Sequence, residues 1–366
     1  MKSLIFGGII LFSCCLLVSA EPSEPTMKLG KYSLVDRDGI GCEAFSMLKP
    51  TDWKVSGGIR WQTNNPVSPA IISFSIGNPR GPELVEFFPN RRFFWTDDQN
   101  MLYMFPVGSE YLGSEVHPPL TASDYVKQII LPRYRSGISN MKIIKTGELP
   151  DFARELKSEM QQQEGLSPFS DGATVTIEYV KNGTPYIEEF YVVTVGWNFR
   201  MASMYGYVTH IQWAADFQFS FRTRKGEMEK SAGVFQTMIK SFKLNPVWFN
   251  KYVQLVDYLI QNQIQQINNI GQISNIISRT SNEISDMMMD SYNNRQAVYD
   301  RMGEKYSQAI RGVDGYYDPT DERQVELPGG YDRAWSNGLG EYILSNDANY
   351  NPNIGSSRNW ESMQQR

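Results

Sequence analysis

The chain has 366 residues, 41% of them hydrophobic and 13% aromatic, with 35 Lys+Arg against 40 Asp+Glu and a net charge of −5. A mildly acidic chain with no long basic run excludes nucleic acid as a partner. Its length suits two domains, and its three cysteines, two of them within the first twenty residues, exclude an internal disulfide once those residues are removed.

The N-terminus carries Lys2, the apolar stretch 4–12 and the small-x-small pattern Val18-Ser19-Ala20 before the polar Glu21-Pro22-Ser23. This predicts a cleavable signal peptide over residues 1–20 and a secreted or periplasmic protein of the cell envelope. Two alternatives stand beside it. Residues 4–20 reach the lower limit of ~17 residues for a retained anchor, and Leu11-Phe12-Ser13-Cys14 resembles a bacterial lipobox, so lipidation at Cys14 would give a membrane-anchored lipoprotein. A membrane is a partner only in those two cases. Residues 21–42 read as a linker or strand that ends at Cys42, a small apolar residue suited to burial.

Residues 43–245 read as an α+β domain. Ala70, Ile72, Phe74 and Ile76 alternate with Ile71, Ser73 and Ser75 as a half-buried strand does, and 83–88 is a second strand. Residues 174–180, the turn Asn182-Gly183 and residues 186–195 form a hairpin, and 208–221 adds a further strand. Helices are predicted at 124–130, capped by Ser123 and stopped by Pro132, at 151–163, and at 227–242.

Residues 246–310 read as a long helix or helical hairpin, opened by Asn245 as N-cap and Pro246 at the first helical position. Ile260, Ile267, Ile270, Ile277 and Ile284 recur on one stripe, and Gly271 marks a bend if the segment folds back. The segment 246–295 has seven charged residues against fourteen Asn or Gln, so it lacks the charged flanks that choose coiled-coil partners. A stripe this long must be covered, by the chain itself, by self-association or by a protein partner.

Residues 311–366 read as a Gly/Asn/Tyr-rich β-module and tail, with strands at 325–331 and 341–344, turns around Trp335 and Gly338-Leu339-Gly340, and fraying beyond 351–353. Tyr316, Tyr317, Tyr331, Trp335 and Tyr342 cluster there as core or as a platform for glycan or peptide contact. Asp314, Asp318, Asp321 and Asp347 lie among oxygen-rich turns but lack EF-hand spacing.

Catalytic chemistry finds little support. His117 and His210 stand in unrelated settings, without HExxH or paired-cysteine spacing, so no metal site is expected. Ser46-Met47-Leu48-Lys49 and Lys145-Thr146-Gly147 match SxxK and KTG by chance, because Pro50 disfavours helix at Lys49. Asp97-Asp98 and Glu188-Glu189 read as solvated surface pairs. No catalytic residue and no cofactor is expected.

From Pro50-Thr51-Asp52-Trp53 to Ser241-Phe242-Lys243 the chain resembles the PsbP/Mog1-like α+β family over residues 43–245. That resemblance implies a non-catalytic binding or assembly role. The sequence as a whole therefore predicts an antiparallel sheet with flanking helices, then a long helical segment and a small β-rich C-terminal module. Its predicted role is an exported scaffold associating through residues 246–295, with glycan binding or cell-wall hydrolysis through the aromatic cluster as the alternative.

Overall fold

The computed structural model describes residues 26–62, 64–160, 165–203, 206–262, 270–279, 289, 292–293, 295–297, 299–300 and 313–365. The predicted signal 1–20 with Cys14, and Ile267 and Ile284 of the isoleucine stripe, lie outside the described residues.

Strands β1 (Met27–Val35), β2 (Glu43–Pro50), β3 (Lys54–Trp61), β4 (Ala70–Gly77), β5 (Leu84–Phe87) and β6 (Arg91–Thr96) precede helix α1 (Gln99–Met104). The short β7 (Glu110–Tyr111) and β8 (Ser114–Val116) lead to α2 (Ala122–Tyr125), a widened π-turn (Val126–Ile130) and α3 (Leu131–Tyr134). Next come β9 (Lys142–Glu148), α4 (Pro150–Glu159) and three long strands, β10 (Leu166–Lys181), β11 (Thr184–Ser203) and β12 (Gly206–Arg224). Helix α5 (Met228–Lys240), β13 (Lys243–Leu244), α6 (Pro246–Gln261) and α7 (Ile270–Arg279) follow. The chain closes with β14 (Val313–Asp318), β15 (Arg323–Pro328), β16 (Arg333–Ser336), β17 (Glu341–Ser345), β18 (Glu361–Ser362) and β19 (Gln364–Gln365).

Among the described residues the protein is mostly β, with 47% strand, 23% helix and three sheets, which corrects the expected α+β class. One reason lies in β10 to β12. The Asn182-Gly183 turn forms as expected, both residues at positive φ (52° and 76°), but β11 does not stop at Val195. It runs on to Ser203, paired with β12 throughout, so that 20 residues span about 65 Å. The second reason is that no long helical segment exists among the described residues. Helix α6 ends at Gln261, where the Asn262 side chain donates to the Tyr258 carbonyl, and α7 is a separate helix packed against it. The break thus falls at a polar cap, and Gly271 sits inside α7.

The largest sheet has the order β3-β4-β5-β12-β11-β10-β9, with β6, β7 and β8 attached beside β12. The second has the order β13-β2-β1-β17-β16-β18, and the third β15-β14-β19. The expected C-terminal module contributes β16, β17 and β18 to the sheet that holds β1 and β2. Its strand β17 pairs with β1 in the register Met27↔Leu344 to Gly30↔Glu341. Trp335 lies in β16, and the tail beyond residue 353 is tied back through β18, β19 and the buried Trp360 and Met363.

Helix α5 is wedged between these layers, touching β2, β12, β14 and β15, and all nine residues from 231 to 239 are buried. One core cluster lies under α5, α6 and α7 against the large sheet; a second lies between α2–α3 and β10–β12. The α2 start is capped by Thr121 rather than Ser123, and Asp171 accepts from the Ala122 amide. That helix passes Pro132 because the π-turn before it shifts the hydrogen-bond register, where a regular turn would break at the missing N–H.

One buried carboxylate ties three elements together. Asp36 accepts from the amides of Gly39 (3.1 Å) and Ile40 (3.0 Å) and from the indoles of Trp61 (2.9 Å) and Trp248 (2.8 Å). It joins the β1–β2 turn to β3 and to α6. Gly39 is required there by close approach, since a Cβ on it would meet Trp61 at 2.0 Å.

Candidate functional site

The antiparallel ladder of β11 and β12 pairs Val193 with Phe217 but Thr194 with Ala215, which leaves Asp216 as the extra residue of a β-bulge. The other edge of β12 is interrupted at the same level. There β5 pairs with residues 219–222 and β6 with 210–215, and the link between them is held by the Phe88 amide on the Gln218 carbonyl. Bulges re-aim side chains, and here the double interruption turns Asp216 toward two partners. Asn90 Nδ2 donates to its Oδ1 at 2.7 Å, and Arg295 grips it bidentately at 3.1 and 2.8 Å.

Arg295 reaches the bulge from the segment following α7 and lies over the rings of Phe217 (5.5 Å) and Phe249 (5.8 Å). Burial opposes its charge, but the Asp216 carboxylate and Tyr299 outweigh that, and the net pKa is raised. The Tyr299 phenol is pushed up by burial despite the nearby guanidinium. Its ring packs on Phe242 (4.2 Å) and edge-on to Phe217 (4.8 Å). The same segment is pinned by Gln296, whose amide accepts from Leu244 N and donates to Phe242 O, and by Tyr292, which donates to Leu244 O. These bonds close the free edge of β13.

Beside this ion pair a cavity of about 710 Å³ opens between β4, β5, β6 and β12 on one side and α6 with the 295–299 segment on the other. Phe45, Phe74, Phe87, Phe219 and Phe242 form a ring floor, with Phe74 and Phe87 stacked at 4.4 Å. Trp213, Trp248 and Tyr252 add walls, the last two stacked at 5.3 Å and 7° one helical turn apart on α6. At the mouth, Leu112 and Ile260 are both lining and exposed, at 67% and 52%. The size falls within the range of about 300–1,000 Å³ seen for small-molecule sites, as does the mix of many rings and few polar groups.

A second polar cluster lies in the core of the large sheet. Glu188, expected at the surface, is fully buried and accepts from Arg135 Nε (3.0 Å) and Nη2 (2.5 Å), Tyr179 Oη (3.1 Å) and Ser220 Oγ (2.7 Å). Arg135 also pairs with Glu86 at 2.6 Å and sits over Phe88 and Phe190. Both Glu188 oxygens are engaged, which suits a structural network rather than one awaiting a substrate.

The sequence-predicted site residues are dispersed. Tyr316 and Tyr342 are buried in a small core with Leu29, Leu48 and Leu344, and Tyr331 packs at its edge. Tyr317 is half-buried in β14, and Trp335 packs in a separate cluster with Ile343 and Trp360. Ile260 stands at the cavity mouth, Ile277 is buried in the main core, and Ile270 opens α7. Ser46 and Lys49 lie on strand β2, with Lys49 Nζ given to the carbonyls of Pro50 and Trp53. His210 is sandwiched between Phe94 and Phe199. Among the described residues no three His, Cys, Asp or Glu side chains come together as metal ligands. Asp318 is instead held by Thr320 and Ser336.

Sequence reasoning missed the cavity because its walls come from segments up to some 250 residues apart, as Phe45, Phe74, Trp213, Tyr252 and Tyr299 show. The one local signal was Asp216, a charge inside the strand run Trp213-Ala214-Ala215-Asp216-Phe217. No family model and no curated protein sequence matches this chain.

Proposed function

We propose that the protein is an exported, non-enzymatic binding protein that holds a small, largely apolar molecule in the cavity beside Asp216. The observation that carries this reading is the cavity itself, a ring-lined space of about 710 Å³ with the Asp216–Arg295 ion pair in its wall. Its ionic groups support recognition over proton transfer. Asp216 is committed to Arg295 and Asn90, and Arg91 to Glu115, so none is left as an isolated base.

A neutral fluorescent ligand tests the reading. N-phenyl-1-naphthylamine is expected to bind the full chain saturably with enhanced emission, and Ala214→Trp, which places an indole in the cavity, is expected to abolish that binding while the circular dichroism spectrum is retained. Unchanged binding by a folded Ala214→Trp variant overturns the assignment. Export is tested by mass spectrometry of the mature protein: a free Glu21 N-terminus is expected, and a lipid on Cys14 would replace diffusion with tethering.

A further inference from the structure

The cavity has an uneven charge. Arg91, Arg92 and Arg295 line it against the single acid Asp216. Arg295 is neutralised by Asp216, and Arg91 is paired with Glu115 at 3.3 Å. Arg92 has no carboxylate partner among the described residues, although it lines the same wall, cross-strand from Ala214. A further donor stands close by: the Tyr252 phenol also lines the cavity, and burial pulls its pKa up while Arg92 and Arg295 oppose that shift. One corner of an otherwise apolar cavity is thus positive and rich in donors, while the mouth at Leu112 and Ile260 is apolar.

We infer that the ligand is an amphiphile with an anionic head, its apolar part on the phenylalanine floor and its carboxylate or phosphate at Arg92 and the Tyr252 hydroxyl. This rests on the cavity reading above and adds the charge and placement of the head. A guanidinium with an open fork and a phenol hydroxyl match the acceptor oxygens of such a head, and charge-assisted bonds of this kind are the strong ones. An apolar chain supplies the remaining contact by displacing water from the rings.

Isothermal titration of the full chain with dodecanoate, dodecyl phosphate, dodecanol and dodecyltrimethylammonium, each below its micellar concentration, tests the inference. Either anion is expected to bind about tenfold more tightly than dodecanol. Arg92→Gln is expected to erase that margin and leave dodecanol binding in place, and Arg92→Lys to recover part of it. Equal binding of anion and alcohol, preference for the cation, or an Arg92→Gln variant with the full anionic margin overturns the inference and leaves the cavity reading standing, because dodecanol still binds. If neither the dodecyl compounds nor the neutral naphthylamine binds, the cavity reading falls and this inference falls with it.

Discussion

Replacing Glu188 by Leu removes the acceptor of four hydrogen bonds from Arg135, Tyr179 and Ser220 at a position with no solvent exposure. Arg135, with only 9% of its side chain exposed, would keep Glu86 alone as counter-charge. In the intact protein burial lowers the Arg135 pKa, but the hydrogen bonds and charge of Glu188, then Glu86, more than reverse this. Breaking a buried pair from one side costs about 3–5 kcal/mol, and the surviving Glu86 contact places this case near ~3 kcal/mol. Against a total stability of about 5–15 kcal/mol that is a large loss. It corresponds to a urea midpoint lowered by about 1 M for a slope of ~3 kcal/mol/M. Adding Arg135→Met should recover much of it, because the uncompensated charge is then gone and an apolar side chain fills the site beside Phe88 and Phe190. A single Glu188→Leu variant within ~1 kcal/mol of wild type, or a double variant no better than the single, would refute the argument.

Gly39→Ala forces a methyl into the Trp61 indole and should cost about 1–3 kcal/mol, read as a lower melting temperature with altered tryptophan emission. Asp318 is pulled upward by burial, but hydrogen bonds from Thr320, Ser336 and Tyr342 outweigh this and hold its pKa below the usual carboxylate range. Its contribution is therefore present above the unfolded pKa of about 4 and lost as pH falls through the lower folded value. Urea midpoints between pH 6 and pH 2.5 should show a flatter acid limb for Asp318→Asn than for wild type, and parallel limbs would exclude the assignment. Asp216→Asn weakens a partly exposed bidentate pair and should cost only about 1 kcal/mol. A loss above ~3 kcal/mol in thermal unfolding would show that the bulge depends on the charge.

Local patterns were legible in the sequence where one neighbour decides the structure. The Asn182-Gly183 hairpin, the α5 helix and the Asn245-Pro246 start of α6 form because turn, periodicity and cap are short-range properties. Stopping β11 at Val195 failed because Gly196-Trp197-Asn198-Phe199 lacks a strong pattern of its own and is held by pairing to residues 210–213 of β12. The isoleucine stripe misled because its period is helical while Asn262 supplies a cap. Glu188 was unreadable for a different reason: its partner Arg135 is 53 residues away, and nothing near it announces a buried acid.

The pairing of β1 with β17 brings Thr26 beside Ser345, 319 residues apart along the chain. Strand β1 therefore remains without one of its two neighbours until Glu341–Ser345 has been made. Loop closure over such a distance is entropically costly and slow, so this sheet forms late, after the local hairpin of β10 and β11. A nascent chain ending before residue 341 would carry β1 as an open edge, a template for pairing with another molecule. Arrival of Glu341–Ser345 is then the event that closes the sheet, and proteolytic loss of that strand would reopen it at β1.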